Sequence, residues 1–157
     1  MARFRFSMQS ILDIKYKLET QAKQAFAAAQ AALLAEEEKL QALCDRRAGY
    51  EEKARSLLEG SLNVMDIEEN KTAIIVMDGY IAEQTREVEL ARRKVERRRE
   101  DMAEAMRERK TYETLRENAF QEFLVEENRA EGKTVDELVS YTYGQKKQAE
   151  SQRVETN

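Results

Sequence analysis

Apolar residues recur at steps of three and four along two long segments, and this spacing constrains the fold more than any other feature. Such steps place side chains on one face of an α-helix. The first stripe runs from about Phe6 to Glu59 and the second from Ile67 to Phe123. The chain contains no proline, so its backbone can stay helical over long stretches. The pattern predicts an all-α protein with two long amphipathic helices.

The segment between the two stripes is typical of a turn between helices. Gly60 is suited to ending a helix, and Asn63 is suited to capping the next helix with its side-chain oxygen. If the chain reverses near residue 62, facing residues have numbers that sum to about 124. Apolar residues then pair across the seam: Leu57 with Ile67, Tyr50 with Ile74, Leu43 with Ile81, Ala29 with Val95 and Leu18 with Met106. This agreement predicts a long antiparallel two-helix coiled-coil hairpin.

The pattern weakens beyond Phe123, so the carboxyl end is expected to differ from the hairpin. Gly132 is expected to interrupt the second helix, and Thr134 with Glu137 forms a capping box that can restart a short C-terminal helix. We expect one domain over residues 1–157, with helix 1 at about 6–59, the turn at about 60–63, helix 2 at about 64–131 and a C-terminal segment at 132–157.

The residues that most enzymes require are missing from this sequence. There is no histidine, Cys44 is the single cysteine, and no glycine-rich phosphate loop or GxSxG motif occurs. Carboxylates are abundant, but a thin hairpin offers no cleft in which they would be desolvated. We therefore expect a non-enzymatic protein without metal or cofactor.

Charge and hydropathy favour a protein that stays in the cytoplasm. The net charge is -4 with both signs interspersed, which does not suit binding to DNA or to an anionic membrane. No apolar run is longer than that from Ala73 to Met77, which is far shorter than the roughly 20 residues of a membrane span. The amino terminus lacks the apolar stretch of a signal peptide.

Six of the eight residues from Arg92 to Arg99 are basic, and three interpretations remain open for them. In the first interpretation, their aliphatic stems flank the seam around Val95 while their charged groups pair with glutamates. Alternatively, they form a basic collar that meets an acidic lining in a ring-shaped partner. The third interpretation is contact with nucleic acid, which the flanking acidic residues and the lack of aromatics disfavour. The collar comprises Arg92, Arg93, Lys94, Arg97, Arg98 and Arg99.

Both ends of the chain carry a recognisable pattern. The start, FRFSMQSILDIKYKLE at residues 4–19, resembles the amino terminus of the flagellar export protein FliJ family. The late segment FLVEENRAEGKTVDEL, at residues 123–138, is similar to the ending of that family. The hairpin position and the chain length agree with this resemblance.

The resemblance implies a stalk component of the bacterial flagellar type III protein export apparatus, which supports flagellum biogenesis, motility and chemotaxis. The partners that it implies are the hexameric export ATPase, the cytoplasmic domain of the export gate protein, the ATPase regulator and export chaperones. No nucleic acid is among them. The location that it implies is the cytoplasm, with peripheral association at the inner face of the cell membrane through the export apparatus.

The resemblance also directs attention to two sets of residues. The ATPase-facing set is expected at the open end of the hairpin: Phe4, Phe6, Ile11, Tyr112, Phe120 and Phe123. The gate-facing set is expected in the middle: Leu43, Tyr50, Met77, Tyr80, Ile81 and Gln84. Ordinary seam packing is the alternative for the second set. Alternatives for the whole chain are a generic coiled-coil scaffold, a stalk or chaperone-escort protein of virulence-type secretion, and a nucleic-acid-associated coiled coil.

Overall fold

The chain folds into two long α-helices in a computed structural model that describes residues 2–155. Helix α1 spans Gln9–Leu57 and helix α2 spans Val64–Glu155. Over the described residues there is no β-strand. The two helices pack against each other in opposite directions, so the predicted all-α helical hairpin is confirmed.

The chain comprises two compact units. One is formed by residues 16–108, and the other by the described parts of residues 1–15 and 109–157.

The unit of residues 16–108 contains a narrow seam between α1 and α2. Its apolar centre is formed by Ala29, Met77, Val88 and Val95, each at most 6% exposed. Side-chain contacts that cross the seam include Asn70 with Tyr50, Arg47 with Asp78, and Gln84 with Glu36. The residue numbers of these pairs sum to between 120 and 125, which is within about one helical turn of the predicted sum of about 124.

The turn between the helices uses the two residues that the sequence indicates. Gly60 adopts a φ of 75°, a left-handed conformation that side chains with a Cβ disfavour. The Oδ1 atom of Asn63 accepts hydrogen bonds from the amides of Met65 at 3.1 Å and Asp66 at 3.3 Å. These bonds satisfy two of the amide groups that begin a helix without an intrahelical partner.

The second unit is organised around Leu12, which is 1% exposed. Residues 2–6 have no regular secondary structure, and the amide of Gln9 donates to the carbonyl oxygen of Phe6 at 3.1 Å. Helix α1 therefore begins three residues later than predicted. We call residues 2–8 the amino-terminal strap.

The expected interruption at Gly132 is wrong, because α2 continues through it to Glu155. Glycine costs only about 1 kcal/mol relative to alanine inside a helix. No proline is present to break the backbone hydrogen bonds. Thr134 does not cap a new helix, since its hydroxyl donates to the carbonyl oxygen of Ala130 at 2.9 Å within α2. Residues 132–155 of the predicted C-terminal segment thus belong to the second helix, and residues 156 and 157 lie outside the described residues.

Candidate functional site

An aromatic cluster joins the amino-terminal strap to α2. The ring of Phe4 lies edge-on to that of Phe120, with centroids 5.2 Å apart, and tilted against that of Phe123 at 5.5 Å. The rings of Phe120 and Phe123 are stacked at 6.4 Å. All three residues are half-buried. The cluster brings together half of the predicted ATPase-facing set.

Cationic and amide side chains surround this cluster. The Arg116 guanidinium lies over the Phe4 ring at 5.6 Å, and its Nε donates to Gln9 Oε1 at 3.1 Å. The Lys15 ammonium lies 5.7 Å from the centre of the Tyr112 ring. Because a cation is attracted to the face of an aromatic ring, these contacts hold the strap and the start of α1 on α2.

The other predicted ATPase-facing residues lie in different surroundings. Phe6 and Tyr112 are half-buried, whereas Ile11 is 40% exposed. The neighbouring Leu12 supplies the apolar core instead. Ile11 is therefore available at the surface of this unit.

The predicted gate-facing residues divide by exposure. Tyr80 is 51% exposed, and Met77 is 5% exposed within the seam. The remaining members, Leu43, Tyr50, Ile81 and Gln84, are half-buried. Of the six, Tyr80 has the largest exposed fraction.

Gln84 has a defined contact across the seam. Its Nε2 donates to the main-chain carbonyl oxygen of Glu36 at 3.0 Å and also to the Glu36 carboxylate. This bond, followed by one from Lys39, lowers the pKa of Glu36 below its ordinary value. The carboxylate is thereby favoured in its charged form.

A second polar contact lies nearer the turn. Arg47 donates to Asp78 on α2 and to Glu51 on α1. Both bonds raise the pKa of Arg47, and the bond to Asp78 has the larger effect. Exposed ion pairs of this kind add little stability but help to define one alignment of the helices.

An apolar groove of about 250 Å³ lies beside the turn, and the sequence analysis did not identify it. Its lining includes Leu57, Leu58, Ile67, Ile74 and Ile75. Leu58 is 66% exposed and Ile75 is 61% exposed. Leu58 directly follows the seam residue Leu57, and Ile75 directly follows Ile74. A pair of adjacent apolar residues is therefore the sequence signal that could have revealed the groove. Such pairs widen the apolar face beyond what a two-helix seam covers.

The basic run from Arg92 to Arg99 surrounds the buried Val95. Its ion pairs include Arg92 with Glu37, Arg93 with Glu89, Arg98 with Asp101 and Arg99 with Glu96, at 3.3 to 3.6 Å. The Arg99 guanidinium also lies 5.7 Å from the centre of the Phe26 ring. These contacts are those of the first interpretation, in which the run flanks the seam and pairs with acidic residues.

Residues 2–155 contain neither a metal-binding cluster nor a membrane-spanning helix. No group of three or more histidine, cysteine, aspartate or glutamate residues is arranged to hold a metal ion there. Neither α1 nor α2, as far as it is described, contains a stretch apolar enough to cross a membrane.

These features define a class of protein, an all-α hairpin with an aromatic cluster, a groove beside the turn and polar contacts across its seam. The model of the flagellar FliJ protein family matches residues 4–148, so the chain belongs to that family. The resemblance identified in the sequence is thus confirmed. The chain is accordingly an associated component of type III protein export, and its family is non-catalytic.

A solved structure has a similar fold. It is described as that of a YscO homolog, CT670 from Chlamydia trachomatis, and it is 22% identical to this chain. The match covers 93% of this chain and 99% of the other, with a TM-score of 0.62. The comparison with curated proteins gives no significant match.

Proposed function

We propose that this protein is the non-catalytic stalk of the flagellar export apparatus, which binds the export ATPase ring and the cytoplasmic domain of the export gate. The observation that carries the proposal is the family match over residues 4–148. A stalk acts by binding one arrangement of its partners more tightly than another. Its contribution to flagellum assembly, motility and chemotaxis follows from that coupling.

The contact with the ATPase is proposed at the aromatic cluster and the adjacent surface. Aromatic residues and arginine dominate the binding energy of many protein interfaces. Phe4, Phe120 and Phe123 are half-buried beside Arg116, and Ile11 is exposed in the same unit. Phe6 and Tyr112 complete the proposed set.

The contact with the gate is proposed at the surface around Tyr80. Leu43, Tyr50, Ile81 and Gln84 are half-buried and belong to the same proposed set, while Met77 supports it from within the seam. The groove that includes Ile75 offers further apolar area to a partner. Exposed apolar surface of this kind is typical of interaction sites.

The proposal also assigns sites to the remaining partners and a location to the protein. The ATPase regulator and export chaperones are proposed to bind α2 beyond the aromatic cluster, where Val135, Leu138 and Val139 are each more than half exposed. We place the protein in the cytoplasm, at the membrane only through the export apparatus. The basic collar is proposed to lie beside acidic groups of a partner.

The ATPase contact is tested by pull-down and hydrolysis assays with the flagellar export ATPase of the same genome. We expect the wild-type protein to bind and to stimulate hydrolysis, and Ile11→Asp to lose both. Ile11 is exposed, so this change leaves the core residue Leu12 in place. Leu34→Asp, at a site 57% exposed on α1, is the matched control and should behave as wild type. Unchanged binding by Ile11→Asp would reject this contact.

The gate contact is tested by calorimetric titration with the cytoplasmic domain of the gate protein. We expect Tyr80→Ala to weaken binding at least tenfold, since the loss of a central aromatic contact is large in most interfaces. Leu90→Ala, at a site 56% exposed on α2, is the control. Equal affinities of the two variants would contradict the assignment.

A virulence-type export stalk is the competing function, because the solved structure with the similar fold is described as a YscO homolog. Assays with both ATPase types separate the two. Stimulation of the flagellar enzyme alone supports our proposal, and stimulation of the virulence-type enzyme alone overturns it.

A further inference from the structure

The last part of α2 lies on the surface of the molecule. Every residue from 128 to 154 is exposed, so no other described part of the chain covers this stretch of helix. In folded proteins, helices gain most of their stability from packing of an apolar face against a neighbour. A long helical segment that buries nothing within its own chain is therefore expected to pack against another molecule.

One face of this segment is apolar at its centre. Leu138 is 60% exposed and the adjacent Val139 is 62% exposed. At about 100° per residue, Val135 and Thr142 lie on the same arc of the helix as these two residues. The arc continues in both directions, and we call its residues the carboxyl-terminal face: Asn128, Glu131, Val135, Leu138, Val139, Thr142, Lys146 and Ala149.

The carboxyl-terminal face is symmetric about a point between Leu138 and Val139. Glu131 lies seven residues before Leu138, and Lys146 lies seven residues after Val139. In an antiparallel pair of identical helices centred at this point, Leu138 meets Val139 of the second copy, and Glu131 meets Lys146 of the second copy. Two-fold symmetry makes each of these contacts twice. The other facing pairs are Val135 with Thr142 and Asn128 with Ala149.

The same residues disfavour other arrangements of two copies. In a parallel pair, Glu131 faces Glu131 and Lys146 faces Lys146, and like charges directly opposite each other repel. An antiparallel pair shifted by one heptad places Leu138 opposite either Gly132 or Lys146, so the apolar centre is lost. Charge complementarity and apolar contact are thus combined in the antiparallel pair centred between Leu138 and Val139.

We propose that the carboxyl-terminal face binds the same face of a second copy of this chain in that antiparallel arrangement. The ATPase regulator and export chaperones proposed above bind the same part of α2, so the second copy covers it before they bind. The purified chain, with no other protein present, therefore forms a dimer. Because a single pair of helices buries few apolar layers, the dimer is weak and depends on protein concentration.

Sedimentation velocity of the full chain, from about 1 µM to about 500 µM, tests the dimer. Low ionic strength is used so that the charge contacts are little screened. We expect the wild type to shift from monomer to dimer as the concentration rises. The Leu138→Asp, Val139→Asp variant should remain a monomer, because it brings carboxylates together at the centre. Tyr143→Asp, at a position 72% exposed and outside the carboxyl-terminal face, is the matched control and should dimerise as the wild type does.

Charge reversal tests the antiparallel direction. Lys146→Glu turns two attractive contacts into repulsive ones and should raise the dissociation constant of the dimer about tenfold. The Glu131→Lys, Lys146→Glu variant exchanges the two charges and should restore the affinity of the wild type. Circular dichroism at low concentration, where every variant is a monomer, checks that each remains helical.

Three results would overturn the proposal. The first is a wild-type chain that sediments as a monomer at every concentration, which would leave this part of α2 to the regulator and chaperones alone. The second is a dimer that persists in the Leu138→Asp, Val139→Asp variant, which would place the contact elsewhere. The third is failure of the exchanged charges at residues 131 and 146 to restore a dimer that Lys146→Glu has weakened.

Discussion

The ring of Phe4 meets that of Phe120 edge-on, with 5.2 Å between centroids and 68° between ring planes. This geometry is favourable for two aromatic rings because the positive edge of one faces the negative face of the other. The contact ties a strap without regular secondary structure to a residue of α2 that lies more than a hundred positions later in the chain. An ATPase that binds at this surface, as we propose, would thus contact an aromatic cluster that is already assembled.

Phe4→Ala should detach the strap from α2. Aromatic pairs contribute about 0.5 to 1.5 kcal/mol beyond area burial, so we expect a loss of roughly 1 to 2 kcal/mol for this half-buried residue. Hydrogen exchange of the Gln9 amide, which bonds to the Phe6 carbonyl oxygen, should accelerate. Arg3→Ala, in the same strap at an exposed position, should leave that exchange unchanged.

Met77→Ala and Tyr80→Ala should differ in stability because only Met77 is buried. Removing a buried methionine side chain costs about 2 to 5 kcal/mol, whereas exposed substitutions usually change stability by about 0.5 kcal/mol or less. Urea denaturation followed by circular dichroism measures both. Similar losses for the two variants would show that Tyr80 is part of the seam and not a free surface.

Gly132→Ala should stabilise α2, since a Cβ at this position meets open space and the residue is helical. The free energy of unfolding is expected to increase by up to about 1 kcal/mol, and the helical signal is expected to increase with it. Gly60→Ala should act in the opposite direction, because its φ of 75° is unfavourable for alanine. A loss of helical signal in Gly132→Ala would contradict the continuous helix.

The contribution of Glu36 to the stability of the folded protein should depend on pH. Its pKa is lowered in the folded protein, chiefly by the bond from Gln84, while the unfolded chain keeps the ordinary value of about 4.3. The resulting stabilisation is fully present above that ordinary value and is lost as the pH falls through the folded pKa.

Denaturation of the wild type and of Glu36→Gln at neutral pH and at about pH 3 tests whether the stabilisation by Glu36 is lost at low pH. The wild type should lose more stability on acidification than the variant. In a carboxyl titration by nuclear magnetic resonance, Gln84→Ala should move the pKa of Glu36 back toward its ordinary value. An unchanged pKa would show that Gln84 is not the cause.

Much of the fold was predictable because helical periodicity is a local property. Apolar residues at three-four steps specify which face of each helix is covered, and Gly60 with Asn63 specifies where the chain reverses. Together they predicted that the helices run antiparallel, and the structure adds the contact between Asn70 and Tyr50. The resemblance at the two ends gave the family.

The candidate surfaces were less predictable, because periodicity does not state how neighbouring side chains share the seam. Leu12 is buried while the adjacent Ile11 is exposed, and Met77 lies in the seam while Tyr80 lies outside it. Two adjacent apolar residues differ by about 100° on a helix, and only the packed partner helix decides which is covered.

Two helices, their turn and their antiparallel direction could be read from the sequence, since these depend on residue spacing and local capping. The path of the strap, the continuation of α2 through Gly132 and the groove beside Ile75 became evident in the folded structure alone. These three features depend on contacts between distant residues or on small differences in free energy. A glycine penalty of about 1 kcal/mol is too small for a sequence pattern to reveal whether a helix stops or continues.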